Sequence, residues 1–289
     1  MTLRQLSVSR RSRTAAAALL GMVSLAIGAH AALNKRSLDA AKATDAAQIV
    51  QAANKPSRLA LVIGNGHYPD ANAPLTQSIN DARALTVALR REGFEVDVVE
   101  DASRDDMNRA VDRLKARINP ESVVLLFFGG YGVQAGRESY MIPVDAAIWK
   151  ESDVRRAGVS IESVLEAIKA QGARAKIAVI DASRRNPYER RFRAFSHGLA
   201  PISAPDNALI LSSATPGKVA DDSSGQNSML VTELLNNIGS KAAGAEALFT
   251  KTRIAVSRSS NGEQVPSVSS SLKEDVRLAA EMAAEKAGS

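Results

Sequence analysis

The chain has no cysteine in its 289 residues. That absence excludes disulfides, thiolate metal ligands and any thiol nucleophile, so the core must hold the fold unaided. Aromatic residues make up only 4%, with one tryptophan, and there are three histidines, His30, His67 and His197. Imidazole is the side chain best matched to general-base work near neutral pH, so few positions can supply a base. Against these shortages stands an apolar content of 45%, ample for a globular core.

The first 31 residues differ in kind from the rest. Arg4, Arg10, Arg11 and Arg13 precede an uncharged run from Thr14 to Ala29, which ends in Ala29-His30-Ala31 before Ala32. This is the layout of a secretory signal peptide with a small-residue cleavage site. The run is about 16 residues, at or below the lower limit for a spanning helix, so residues 1–31 are expected to leave an exported, periplasmic or secreted protein without a membrane span, an uncleaved membrane anchor being the less favoured alternative. Removing four arginines and no acids takes the formal charge from +6 to +2. The basic balance therefore belongs to the leader, and a nucleic-acid partner is not expected. Residues 32–57, rich in alanine and polar side chains, read as a linker.

From Arg58 onward apolar runs alternate with helical patterns. LALVIG, FEVDVVE, SVVLLFF, KIAVID and NALILSSA read as strands, and TQSINDARALTVALRREG, SRDDMNRAVDRLKARI and SIESVLEAIKAQ read as helices between them. Further helices are expected near 227–237 and 245–257. Uninterrupted apolar strands indicate a parallel sheet covered on both faces, so the fold class is α/β, doubly wound and mostly parallel, with helices flanking both faces. Residues 273–289 read as a solvated terminal helix.

Ligands of such sheets sit beyond the carboxyl ends of the strands. Three unusual loops fall there: GNGHYPDANAP, GGYGVQAGRESY and ASRRNPYERRFRAFSHG. Gly64-Asn65-Gly66 lacks the third glycine of a dinucleotide fingerprint, since Pro69 stands in its place. Gly129, Gly130 and Gly132 bracket Tyr131 at a strand end, where glycine lets a backbone approach closely. Ser183 stands 52 residues after Tyr131. A serine hydroxyl needs a base within reach, and tyrosine, with a reference pKa near 10, is a poor one.

These motifs resemble a known family. Ile63-Gly64-Asn65, Asn80-Asp81-Ala82, Gly130-Tyr131-Gly132, Ile142-Pro143-Val144-Asp145, Asp181-Ala182-Ser183-Arg184, Gly198-Leu199-Ala200, Ala214-Thr215-Pro216-Gly217 and Asn227-Ser228 occur in the order of the caspase-like peptidases, and within them of the bacterial relatives of metacaspases. The resemblance spans 58–272, and the separation of 52 fits the roughly 50 residues between histidine and cysteine in caspases. It implies a caspase-haemoglobinase-like fold and places Tyr131 at the family histidine and Ser183 at the family cysteine. Both halves of the catalytic dyad are then replaced. The resemblance also implies an acidic pocket for arginine or lysine, made by Asp81 and Asp181. Relatives often need calcium, but no ligands for it are assignable.

The expected function is a caspase-like domain without cleavage, binding basic peptide segments or a partner peptidase. Two alternatives stay open: a serine hydrolase in which His67, or His197, serves Ser183 as a relocated base, and a structural assembly module that binds neither. The basic run Arg184, Arg185, Arg190, Arg191 and Arg193 reads as a solvated loop, with an internal ligand for the acidic pair as its other reading.

Overall fold

The computed structural model describes residues 57–69, 74–185, 187–188, 198–220, 225–240 and 243–279. The leader, the linker up to residue 56, His197, and Arg190, Arg191 and Arg193 lie outside these.

Six strands form the central sheet in the order β2-β1-β3-β7-β8-β9. They are β1 (Arg58–Gly64), β2 (Glu95–Glu100), β3 (Val123–Gly129), β7 (Ala175–Asp181), β8 (Ala208–Ser212) and β9 (Ser267–Ser270). The first five run parallel, and β9 closes one edge antiparallel to β8. The mostly parallel α/β expectation holds. Every residue of β3, β7 and β8 is buried, because side chains alternate between two covered faces.

The two faces carry separate cores. Leu61, Ile63, Leu126, Phe128 and Ile180 point to one, where α2 (Arg104–Lys115) and α4 (Ile161–Ala170) contribute Met107, Leu114, Leu165 and Ile168. Val62, Leu125, Phe127, Val179 and Leu211 point to the other, beneath α1 (Thr76–Arg91), α5 (Met229–Ile238) and α6 (Ala245–Ser259). Serines start several helices: the hydroxyls of Ser103, Ser160 and Ser228 accept from the N–H groups of Asp106, Ser163 and Val231, satisfying donors that have no partner within the helix.

Two expectations need correction. The segment read as one loop after β3 holds β4 (Gly132–Ala135) and β5 (Glu138–Met141), a hairpin that β6 (Val159–Ser160) extends to three strands; α3 (Glu151–Ala157) lies between β5 and β6. The hairpin turns at Gly136, in the left-handed region that glycine adopts without strain. Second, of the helix expected over 273–289, residues 273–279 are not helical and 280–289 lie outside the described residues; the former bury Val276 and Leu278 in the core under α6. Burial of those two apolar side chains outweighs the helical propensity of the segment.

Candidate functional site

Register builds the site. Gly64 of β1 pairs with Gly129 of β3, and Gly129 with Asp181 of β7. The pairing continues past the strands: the Gly130 N–H donates to the Asp181 carbonyl at 3.3 Å and the Gly132 N–H to the Ala182 carbonyl at 3.0 Å. Tyr131 and Ser183 therefore leave adjacent strands at the same height, on segments about 4.8 Å apart. The order reverses between β1 and β3, so Tyr131 borders the switch point where such sheets bind ligands and Ser183 lies one strand further along the same edge.

The side chains turn to different partners. The Tyr131 ring meets Tyr68 edge-on, with centroids 4.8 Å apart, and its backbone N–H donates to the Tyr68 hydroxyl at 3.0 Å. That hydroxyl donates onward to the Ile142 carbonyl at 2.9 Å. Ser183 is 1% exposed, and its Oγ lies 3.5 Å from Ser212 Oγ, at the outer limit of a hydrogen bond. Its N–H donates to Ser213 Oγ at 3.3 Å. Among the described residues no imidazole bonds to Ser183. The space beside Ser212 is a small cavity of 20 Å³, room for one water and not for a peptide.

His67 is held elsewhere. Its Nδ1 is 2.6 Å from Asp101 Oδ2, and the other Asp101 oxygen accepts from the N–H groups of Gly66 and His67, each at 2.9 Å. Burial pushes the Asp101 carboxyl up, but the two backbone donors and the ring outweigh it and leave the group below its ordinary value, as hydrogen bonds to the charged form do. Asp101 follows β2, and β2 is separated from β7 by β1 and β3. The imidazole is thus oriented toward the far side of β1 from Ser183.

Asp81 lies on the buried face of α1. Its Oδ1 accepts from Asn227 Nδ2 at 2.8 Å and from the Ser228 N–H at 3.0 Å, at the start of α5. Burial, and next the charge of Asp181, push its carboxyl up to about 7, against the hydrogen bonds from Asn227 and Ser228; both causes disfavour the charged form. Asp81 and Asp181 are both buried, and the Oδ2 atom of each has no hydrogen-bond partner. Arg184 sits beside Asp181: its Nη1 donates to the Asp181 carbonyl at 2.7 Å and stands 3.5 Å from Asp181 Oδ1.

Arg184 corrects the reading of the basic run. Only 5% of it is exposed, whereas Arg185 is exposed as expected. The rule that charge runs are solvated misses it because a lone buried member of a run looks like its neighbours in sequence. Sequence reasoning also misses Tyr68, Ser212 and Ser213, which have no spacing that marks them. Asn65 serves as a fastener: its Oδ1 accepts from the Ala102 N–H at 2.8 Å, and its Nδ2 donates to the Ile142 carbonyl at 3.1 Å. The glycines around Tyr131 admit the protein's own atoms. A Cβ at Gly132 would stand 2.8 Å from the Ala182 carbonyl oxygen, and one at Gly130 would stand 2.6 Å from the Tyr68 hydroxyl.

The described residues hold no group of three or more His, Asp or Glu placed to bind a metal. Calcium takes about six to eight oxygens. The acidic pair offers two unpartnered oxygens beside a guanidinium, a set that does not fit that ion. No helix among the described residues is long and apolar enough to cross a membrane.

The family described as Peptidase C14, caspase domain, matches residues 57–277. The chain belongs to the caspase-domain family. It is also similar to human mucosa-associated lymphoid tissue lymphoma translocation protein 1 and to its mouse homolog, each 29% identical over 136 residues. That stretch is 46% of this chain and only 16% of either relative. In this caspase domain the strand-end architecture is retained, while the chain carries no cysteine at all.

Proposed function

We propose that this caspase domain acts by binding and not by cleavage, with Asp81 and Asp181 receiving an arginine or lysine side chain of a partner segment or of another peptidase. The observation that carries the reading is the contrast at one sheet edge: a buried serine hydroxyl facing a second hydroxyl, next to two carboxylates that each keep one oxygen without a partner. A serine alcohol bonded to no base is a poor nucleophile. Loss of both thiol and base lowers acyl transfer by several orders of magnitude, as judged from deletions in serine proteases. Cationic donors to paired carboxylates make the stronger class of hydrogen bond. In the resting protein Arg184 holds the Asp181 side of the site, and an incoming basic side chain competes with it.

The test has two arms. Arginyl and lysyl peptide substrates should show no turnover above the Ser183→Ala variant, while an arginine-ending peptide should bind and lose at least tenfold in affinity in Asp181→Asn. Turnover that vanishes in Ser183→Ala overturns the reading in favour of a serine hydrolase; weak binding equal in both proteins favours an assembly module. Asp101 holds His67 away from Ser183, against the hydrolase; labelling of Ser183 by a fluorophosphonate, lost in His67→Ala, would overturn the reading in its favour. We further propose that residues 1–31 direct export, so that the partner is met outside the cytoplasm. The exported protein should then begin at Ala32 by N-terminal sequencing.

A further inference from the structure

The sheet face opposite α1 carries a cleft of its own. It opens between α2 and α4, over β6 and beside the β4–β5 hairpin, and measures about 350 Å³, within the range of small-molecule sites. None of its walls is a residue of the strand-end site, so its role is independent of the binding proposed there. Helical spacing builds two of the walls. Arg104, Asn108 and Val111 stand at i, i+4 and i+7 on α2, and Ser160, at the start of α4, is followed by Ser163 and Ala167 at i+3 and i+7, so each helix turns one face to the opening. The floor is apolar: Val111, Tyr140, Val159 and Val164 are all buried. Ser163 and Ala167 are too short to close the space above it.

The charged side chains of the lining are Glu138, Arg155 and Arg104. Glu138 accepts from the Tyr140 hydroxyl at 2.7 Å; burial and that carboxylate push the phenol up to about 12, so it remains a donor. Arg155 donates to Glu151 at 2.9 Å in an exposed pair of a kind worth little. Arg104 differs from both. Its backbone N–H donates to Asp145, but its guanidinium makes no hydrogen bond or ion pair with the described residues, whereas Arg109 and Arg113 of the same helix each hold a carboxylate. A planar fork of donors without an acid thus stands at the mouth of an apolar cleft, and carboxylate is the group whose geometry that fork matches.

We infer that this cleft binds a small organic carboxylate with an apolar body, an aryl- or alkyl-substituted acid whose carboxylate meets Arg104 and whose hydrocarbon lies on Val111, Tyr140, Val159 and Val164. Covering the floor supplies the affinity, and the guanidinium selects the anion over a neutral molecule of the same shape.

The probes are 2-naphthaleneacetate and its uncharged analogue 2-naphthaleneacetamide, titrated against the full chain by calorimetry at low ionic strength. The acid should bind with a Kd at or below about 1 mM, and the amide at least fivefold more weakly. Arg104→Gln should bring the acid down to the affinity of the amide, while Arg104→Lys should retain part of the difference. Ser163→Trp, which fills the cleft from α4, should abolish binding of both probes. Arg104 and Ser163 are exposed, so both exchanges leave the core untouched, and circular dichroism will check that the variants are folded. Absence of binding at ten times the stated concentration, equal affinity for acid and amide, or an acid affinity unchanged in Arg104→Gln or in Ser163→Trp would each overturn the site.

Discussion

Asp81 has a folded-state carboxyl at about 7, raised by burial and by Asp181, while an unfolded aspartate titrates near 3.9. Between these values the folded protein holds more protons than the unfolded chain, so stability is greatest below the window and falls as pH rises through it. Glu162, also raised by burial, acts with the same sign. Asp101 and Asp106 are lowered and weaken the fold only on acidification below the ordinary carboxylate range. Wild type should therefore melt at a higher temperature at about pH 5 than at about pH 8, and Asp81→Asn should flatten that difference. Equal melting temperatures in wild type would contradict the assignment. Arg184 makes a second prediction: Arg184→Met leaves Asp181 buried without its cation and should lose about 3 kcal/mol by denaturant titration. The loss should be partly recovered in Arg184→Met with Asp181→Asn. At this scale the sequence is only partly informative. Asp81 and Asp181 emerge from motif order; Arg184 closes the motif Asp181-Ala182-Ser183-Arg184, but the charge run that it shares with Arg185 hides its burial until the turn after β7 directs one inward and the other out.

Elements carry more of their own signature. The strands β1, β3, β7 and β8 are legible because a parallel strand covered on both faces must be apolar throughout. The hairpin β4–β5 is not, since strands as short as GVQA and ESYM cannot show alternation above noise. The motifs shared with the family mostly join elements. The Val144 N–H of Ile-Pro-Val-Asp donates to the Ala102 carbonyl at 3.1 Å, and Asp145 Oδ1 accepts from the Arg104 N–H at 3.0 Å, fixing the start of α2. Gly198 is the sharpest case. Its φ is positive, and a Cβ there would stand 2.0 Å from the Lys218 carbonyl oxygen. Gly198→Ala combines left-handed strain with a backbone clash and should cost at least about 2 kcal/mol. Thermal unfolding will check it; a melting temperature equal to wild type would mean that the connection between β7 and β8 yields without penalty.

At the scale of the molecule, the chain after β9 acts as a clasp. The Arg58 guanidinium, at the first residue of β1, donates from Nη1 to the Ala279 carbonyl at 3.1 Å and from Nη2 to those of Arg277 and Leu278. Its carbon lies 4.5 Å from the centre of the Phe94 ring. The Val276 carbonyl accepts from the Ala245 N–H at the start of α6. The beginning of β1 and the far end of the described chain are thereby tied together on the face that α6 covers, and Val276 and Leu278, each 1% exposed, fill the space between. A boundary at Leu272, where the resemblance read from the sequence stops, cuts through this packing, and the family match itself runs on to residue 277. Burying two such side chains contributes about 3–6 kcal/mol, a large part of the roughly 5–15 kcal/mol that holds a domain folded. A chain ending at Leu272 should therefore unfold at a markedly lower denaturant midpoint than the full chain, and Leu278→Ala should show about half of that loss. The m-value separates the outcomes: a lower midpoint at unchanged m is the loss of packing argued here, and a truncated chain with the full chain's midpoint would remove the clasp from the account of the core.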